Sequence, residues 1–261
     1  MSTKAFDGPK LIGVCGKGGS GKTTLVTLMT KVLLEKGKRI LVIDGDPTEG
    51  VLYALGVNDK IKKTIGDVRE EIISKARRVK AEEDKMELSG VVDYLMMEAM
   101  LEMGQLSVLA MGRREGPGCF CPVNDLLRET IELFSRNFDI TIVDGEAGIE
   151  QINRRVLRHV NAWLVVTDVS LRGFETASLI KNVAGEMLEN SSIYLVVNKV
   201  KKMDDTTQHL IAHVPLDIIG HIAEDEEIAI FDAMGRPLLE LSSTSPAVIS
   251  VQKIIDKLGL H

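Results

Sequence analysis

Short apolar runs alternate with longer amphipathic stretches along nearly the whole chain. The runs at 11–15, 40–44, 107–110, 140–144, 162–167, 193–198 and 217–219 have strand length and are rich in aliphatic residues. Several are apolar on both faces, as in Ile40-Leu41-Val42-Ile43 and Trp163-Leu164-Val165-Val166. That pattern suits strands covered by helices on both sides. Helix-length segments lie between them. One, 23–36, stops at Gly37, the residue type that caps a helix C-terminus. The alternation predicts an α/β fold, a doubly wound and mostly parallel sheet with helices on both faces. No repeat, low-complexity tract or Pro/Ser linker interrupts it. One domain over 1–261 is expected, with 1–9 as an N-terminal arm.

The stretch 58–105 breaks the rhythm, and a helical insertion is expected there. Its run Lys80-Ala81-Glu82-Glu83-Asp84-Lys85-Met86-Glu87 reads as a solvated helical face or loop. Methionines crowd between Met86 and Met111. Core packing on a helix is the expectation, and an adaptable docking surface is the alternative.

Composition removes several function classes. A chain of 261 residues, 44% hydrophobic and 27% charged, buries a core without disulfide or metal staples. The net charge of −6 weighs against nucleic acid and anionic lipid as partners. The segment 250–261 reads as a short apolar helix with only two lysines, poor material for a membrane anchor. No apolar run approaches the ~20 residues of a spanning helix, and the start lacks the apolar core of a secretory signal. Three cysteines are no disulfide framework, so a reducing cytoplasm is expected.

The first chemistry lies in Gly16-Lys17-Gly18-Gly19-Ser20-Gly21-Lys22-Thr23-Thr24, between a strand and a helix. It fits G-x-x-x-x-G-K-[ST]. Glycines let backbone N–H groups converge on phosphate oxygens, and the following helix aims its positive end at the same anion. Lys22 is then expected on the β- and γ-phosphates, with the Thr23 hydroxyl on Mg²⁺. The loop resembles the deviant Walker A motif of the MinD, Mrp and ParA class of P-loop ATPases, which includes the nitrogenase iron protein. The resemblance implies that Lys17 reaches across a two-fold interface to the partner's phosphates, hence a nucleotide-sandwich homodimer.

Asp44-Gly45-Asp46-Pro47 ends the second strand, where α/β sheets bind ligands. By the same resemblance Asp46 lies in switch I and orients or deprotonates the attacking water, while Asp44 supports the metal's outer shell. A carboxylate suits either task. Ile140-Thr141-Ile142-Val143-Asp144 is a Walker B pattern, with Asp144 expected to hold Mg²⁺ through water. Glu146 stands where most MinD-like proteins have proline. Asn198-Lys199-Val200-Lys201 follows the sixth expected strand. Lys201 has no acceptor for guanine, whereas the Asn198 amide both donates to and accepts from adenine, so ATP is expected rather than GTP.

Gly116-Pro117-Gly118-Cys119-Phe120-Cys121-Pro122 is the least generic feature. On an extended backbone the thiols of Cys119 and Cys121 face one way. Two thiolates are half of a tetrahedral Cys₄ site, and a two-fold dimer doubles them. Zn²⁺ or Ni²⁺ suits such sulfurs. Cys15, at the end of the first strand, is expected in the core. The five histidines are read as showing no ligand spacing and are expected to be structural or solvent-facing. Cys-Phe-Cys-Pro-Val-Asn-Asp-Leu-Leu-Arg together with Asp-Gly-Glu-Ala-Gly-Ile-Glu resembles the CooC family of accessory ATPases for nickel insertion into carbon monoxide dehydrogenase. That resemblance implies an ATP-hydrolysing metallochaperone with a nickel enzyme such as carbon monoxide dehydrogenase as its client. Alternatives are an Mrp-like iron–sulfur cluster carrier, a reductase like the nitrogenase iron protein, and a positioning or partitioning ATPase.

Overall fold

The computed structural model describes residues 10–46, 48–78, 85–112, 121–145, 160–185 and 191–260, with backbone alone at 75–78, 85–89, 121–125, 128 and 185. Strands form at all seven apolar runs: β1 (Lys10–Gly16), β2 (Ile40–Asp44), β4 (Leu106–Ala110), β5 (Ile140–Asp144), β6 (Ala162–Thr167), β7 (Ser192–Val200) and β8 (Asp217–Ala223). A short β3 (Leu101–Met103) precedes β4 and pairs with it antiparallel; the other pairings are parallel. Gly104, at φ 63°, turns the chain between these two strands. The described sheet has the order β3-β4-β2-β5-β1-β6-β7-β8. The helices are α1 (Lys22–Glu35), α2 (Gly50–Leu55), α3 (Ile65–Arg78), α4 (Lys85–Ala99), α5 (Cys121–Ser135), α6 (Leu171–Gly185), α7 (Asp205–Ala212), α8 (Glu226–Ala233) and α9 (Pro246–Lys257).

Period-two alternation sorts the buried residues of the strands onto two cores. Ile12, Val14, Val42, Ile142, Leu164 and Val196 pack against α1, α2 and α9. Leu11, Cys15, Leu41, Ile43, Val143 and Trp163 pack on the opposite face against α3, α4, α5 and α6. Both sets are buried, which is why the strands read as unbroken apolar runs. At Gly13 a side chain is sterically excluded: an added Cβ would stand 2.5 Å from the fully buried Trp163 ring.

The stretch 58–105 is no appendage. Ile65, Val68 and Ile72 of α3 join Val92, Leu95, Met96 and Ala99 of α4 in covering the second face. The methionines divide: Met96 is buried, Met100, Met103 and Met111 are partly buried against the cores, and Met97 is exposed. The charged run Lys80–Asp84 lies outside the described residues.

Candidate nucleotide site

β1 lies beside β6; the connection after β1 runs to β2 on one side of the sheet and that after β6 runs to β7 on the other, so a crevice opens at their C-terminal ends. The phosphate loop fills that point. Gly16 and Gly21 have φ of 144° and 91°. A Cβ on Gly16 would lie 2.1 Å from the Val166 carbonyl oxygen, and one on Gly21 would lie 2.1 Å from Asn198 Nδ2. Conformation and space both demand glycine at these two positions. Lys22 is buried, its Nζ donating to the carbonyls of Gly16 (3.3 Å) and Lys17 (3.4 Å). No side chain caps the N-terminus of α1. Its first N–H groups and dipole end therefore face the loop, an arrangement suited to an anion. Thr23 and Thr24 follow, half-buried, and the Ser20 hydroxyl is buried without a partner.

On the β2–β5 flank two carboxylates stand side by side. Asp44 and Asp144 are register partners at the ends of adjacent strands, both buried. Asp144 Oδ2 accepts from the Thr23 hydroxyl at 2.8 Å, but Asp144 Oδ1 and Asp44 Oδ2 are buried with no hydrogen-bond partner among the described residues. Burial, and then the charge of Asp144, pushes the Asp44 carboxyl up to about 7. Burial also pushes Asp144 up to about 7, against the pull of the Thr23 hydroxyl and the Lys22 ammonium. Two orphaned carboxylate oxygens beside a threonine hydroxyl fit a hard divalent cation with oxygen ligands. Asp46 lies next to them. Its N–H donates to Asp44 Oδ1 at 3.0 Å, and its Oδ1 accepts from the Thr48 N–H and hydroxyl at 2.9 and 2.8 Å. That turn holds the Asp46 carboxylate at the mouth of the crevice, half-exposed, with Oδ2 outside the turn.

The β6–β7 flank is different. Lys17 Nζ pairs with Asp168 Oδ2 at 3.0 Å, just beyond the end of β6. Burial pushes the Asp168 carboxyl up, but hydrogen bonds from Ser170 and Lys17 outweigh it and hold it below the usual range. Asn198, near the end of β7, donates from Nδ2 to the Ser20 carbonyl at 2.9 Å and accepts at Oδ1 from the Lys199 N–H at 2.8 Å. Lys199 takes the left-handed region, φ 58°, and its Nζ donates to the Gly19 carbonyl at 3.0 Å. Sequence reasoning did not single out Asp168 or Lys199. Only the fold brings them to the loop, from more than a hundred residues away.

The crevice, the glycine-turned loop and the carboxylates at neighbouring strand ends together describe a nucleotide-binding fold. Residues 11–238 match the family described as the CobQ/CobB/MinD/ParA nucleotide binding domain. The chain belongs to that family. It thus carries a nucleotide-binding domain of the MinD/ParA class. An uncharacterized ATP-binding protein of Methanocaldococcus jannaschii is 36% identical over 95% of this chain and 98% of its own length. The carbon monoxide dehydrogenase accessory protein CooC of Rhodospirillum rubrum is 29% identical, over 88% and 90% respectively. Among solved structures, MinD in the MinC:MinD cell division complex of Aquifex aeolicus superposes with a TM-score of 0.73 at 22% identity. That match covers 97% of this chain and 96% of the other, and it shows the shared fold.

Cys119 lies outside the described residues, as do Glu146, Ala147 and Gly148. Cys121 opens α5, with its backbone alone described. Cys15 is fully buried, and burial pushes its thiol up to about 12, so it is an inert core residue. No group of three or more His, Cys, Asp or Glu among the described residues could hold a metal. The described histidines, His209, His213 and His221, are solvent-facing as expected, but His209 and His213 stand four apart on and just after α7, with ring centroids 4.4 Å apart. No described helix is long and apolar enough to cross a membrane.

Proposed function

We propose that the chain is an ATP-hydrolysing, homodimeric metallochaperone that delivers nickel to an enzyme such as carbon monoxide dehydrogenase. The observation that carries this reading is the Cys119-Phe120-Cys121 pair in a chain whose family and phosphate loop are those of a MinD/ParA ATPase. The CooC relative of Rhodospirillum rubrum supports it.

In this reading the loop N–H groups and Lys22 hold the triphosphate, and the Asn198 amide meets adenine with the hydrogen and lone pair left over from the loop. Thr23 directly, and Asp144 through water, would hold Mg²⁺, whose charge helps neutralise the transferring phosphoryl group. Asp44 orders that outer shell. Asp46, with one oxygen tied to Thr48, offers the other to the attacking water. Lys17 must leave Asp168 to reach a partner's phosphates. The ion pair is part-exposed, so that exchange costs about 1 kcal/mol or less. Dimer closure then brings two Cys119/Cys121 pairs to one axis as a four-thiolate site for Ni²⁺ or Zn²⁺. Hydrolysis reopens the dimer and releases the metal.

The test titrates Ni²⁺ into the wild-type chain and a Cys119→Ser/Cys121→Ser variant, each with and without MgATP. One thiolate-bound nickel per dimer, lost in the variant and shifted by MgATP, supports the reading. A brown protein with iron and sulfide after anaerobic purification replaces it with the cluster-carrier alternative. Light scattering with MgATP tests the dimer separately: a monomer at every protein and ATP concentration overturns the sandwich.

A further inference from the structure

We infer that His209 and His213 form a surface chelate for a late first-row divalent cation, Ni²⁺, Cu²⁺ or Zn²⁺, separate from both the nucleotide site and the cysteine pair. Four residues is one helical turn, so the two rings project from the same side of α7. Both residues are exposed, their ring centroids are 4.4 Å apart, and their planes meet at 67°. Two imidazoles that bind one ion at about 2.0–2.1 Å each must bring their nitrogens to roughly 3 Å, with the rings angled rather than stacked. The rings are already adjacent and angled, and rotation of the His209 side chain, which leaves the His213 Nδ1 contact in place, is the movement that brings their nitrogens together.

The hydrogen bonding favours the same conclusion. His213 Nδ1 lies 2.7 Å from the His209 carbonyl oxygen. A carbonyl can only accept, so Nδ1 carries the proton and Nε2 keeps a free lone pair. This is how a metal-binding imidazole is usually held, with the other ring N–H given to a backbone oxygen. Neutral imidazole suits nickel, copper and zinc, while Mg²⁺ takes oxygen ligands instead. Two protein ligands leave the remaining positions to water or to a passing donor. Such an open site exchanges its ion readily.

Location separates this pair from the ATP chemistry. α7 starts after β7, at the edge of the sheet that carries the phosphate loop, and it ends before β8 at the opposite edge. His209 and His213 sit at that far end. The site does not depend on the metallochaperone reading, and the test keeps the two apart.

The experiment uses the full, tag-free chain carrying Cys119→Ser and Cys121→Ser, stripped of metal and titrated with nickel chloride without nucleotide. One Ni²⁺ per chain is expected. His209→Gln or His213→Gln should weaken it at least 10-fold, because a chelate becomes a single ligand; His221→Gln should leave it unchanged. Paramagnetic broadening by substoichiometric Ni²⁺ should appear first in the ring resonances of His209 and His213. ATP hydrolysis should match the parent in both variants. A chain without the Cys119/Cys121 pair that binds no nickel overturns the site, whatever those cysteines do in the wild type. So does nickel binding that ignores both substitutions. Binding by the chain without that pair that His209→Gln removes upholds the site even if the cysteine pair proves to hold no metal.

Discussion

The two flanks of the phosphate loop are built on opposite principles. On the β2–β5 side, Asp44 Oδ2 and Asp144 Oδ1 are buried oxygens without a hydrogen-bond partner among the described residues. On the β6–β7 side, Lys17, Asp168, Asn198 and Lys199 are all tied to their own chain. An unpartnered buried oxygen is costly, so the first flank gains when a cation arrives. The second flank is already satisfied and can only exchange partners. The first is a receptor and the second a latch.

Substitutions should separate the two kinds of flank by the size and type of their effects. The largest effect is expected at the mouth of the receptor side. Asp46→Ala should slow hydrolysis by about 100- to 10,000-fold, the usual weight of a general base, while MgATP still binds. Single-turnover hydrolysis beside nucleotide affinity checks this, and wild-type turnover would remove Asp46 from the chemistry. Next comes Lys22→Ala. Loss of charge-assisted bonds worth about 3 kcal/mol should weaken nucleotide binding roughly 100-fold, as read by calorimetry.

The latch should respond in stability before activity. Asn198→Ala leaves the buried Ser20 carbonyl without its donor, so about 1–3 kcal/mol of folding stability should go. Urea unfolding followed by Trp163, the only tryptophan, measures it. An unchanged midpoint would mean that the amide does not brace the loop.

pH should act mainly on the receptor side. Asp44 and Asp144 titrate near 7 in the folded, metal-free chain, against about 3.9 for an unfolded aspartate. The native state therefore binds more protons between those values. This contribution to stability is complete below about pH 4 and is lost as pH rises through about 7. Melting temperatures should fall from pH 5 to 8.5, and Asp44→Asn should flatten the slope. A melting temperature that rises over this range would contradict the raised values. The smallest expected effect is at the ion pair: Asp168→Asn should change monomer stability by less than about 1 kcal/mol. Lys17→Ala should be equally mild in the monomer yet abolish ATP-dependent dimerisation, a contrast that light scattering reads directly.

Much of this was legible one residue at a time. The central strands β2, β4, β5 and β6 were visible because both faces of each are buried, which leaves an unbroken apolar run. β3 escaped because it is three residues long, antiparallel and only partly buried, so it carries neither signal. The spacing of His209 and His213 was present in the sequence, but a period of four carries meaning only once that segment is known to be helical.

The sequence by itself determined the phosphate loop, since its glycines, Lys22 and Thr23 act through a continuous strand–loop–helix whose geometry is local. It also determined the layering of the sheet, through period-two burial. What surrounds the loop was decided by tertiary structure. Asp44 meets Asp144 only because β2 pairs with β5 in one register, and Lys17 meets Asp168 only because β6 lies beside β1. These contacts span about a hundred residues or more, and no local propensity encodes such a distance. Strand order sets which charges share the crevice, and burial in that crevice makes two ordinary aspartates hold their protons to about pH 7.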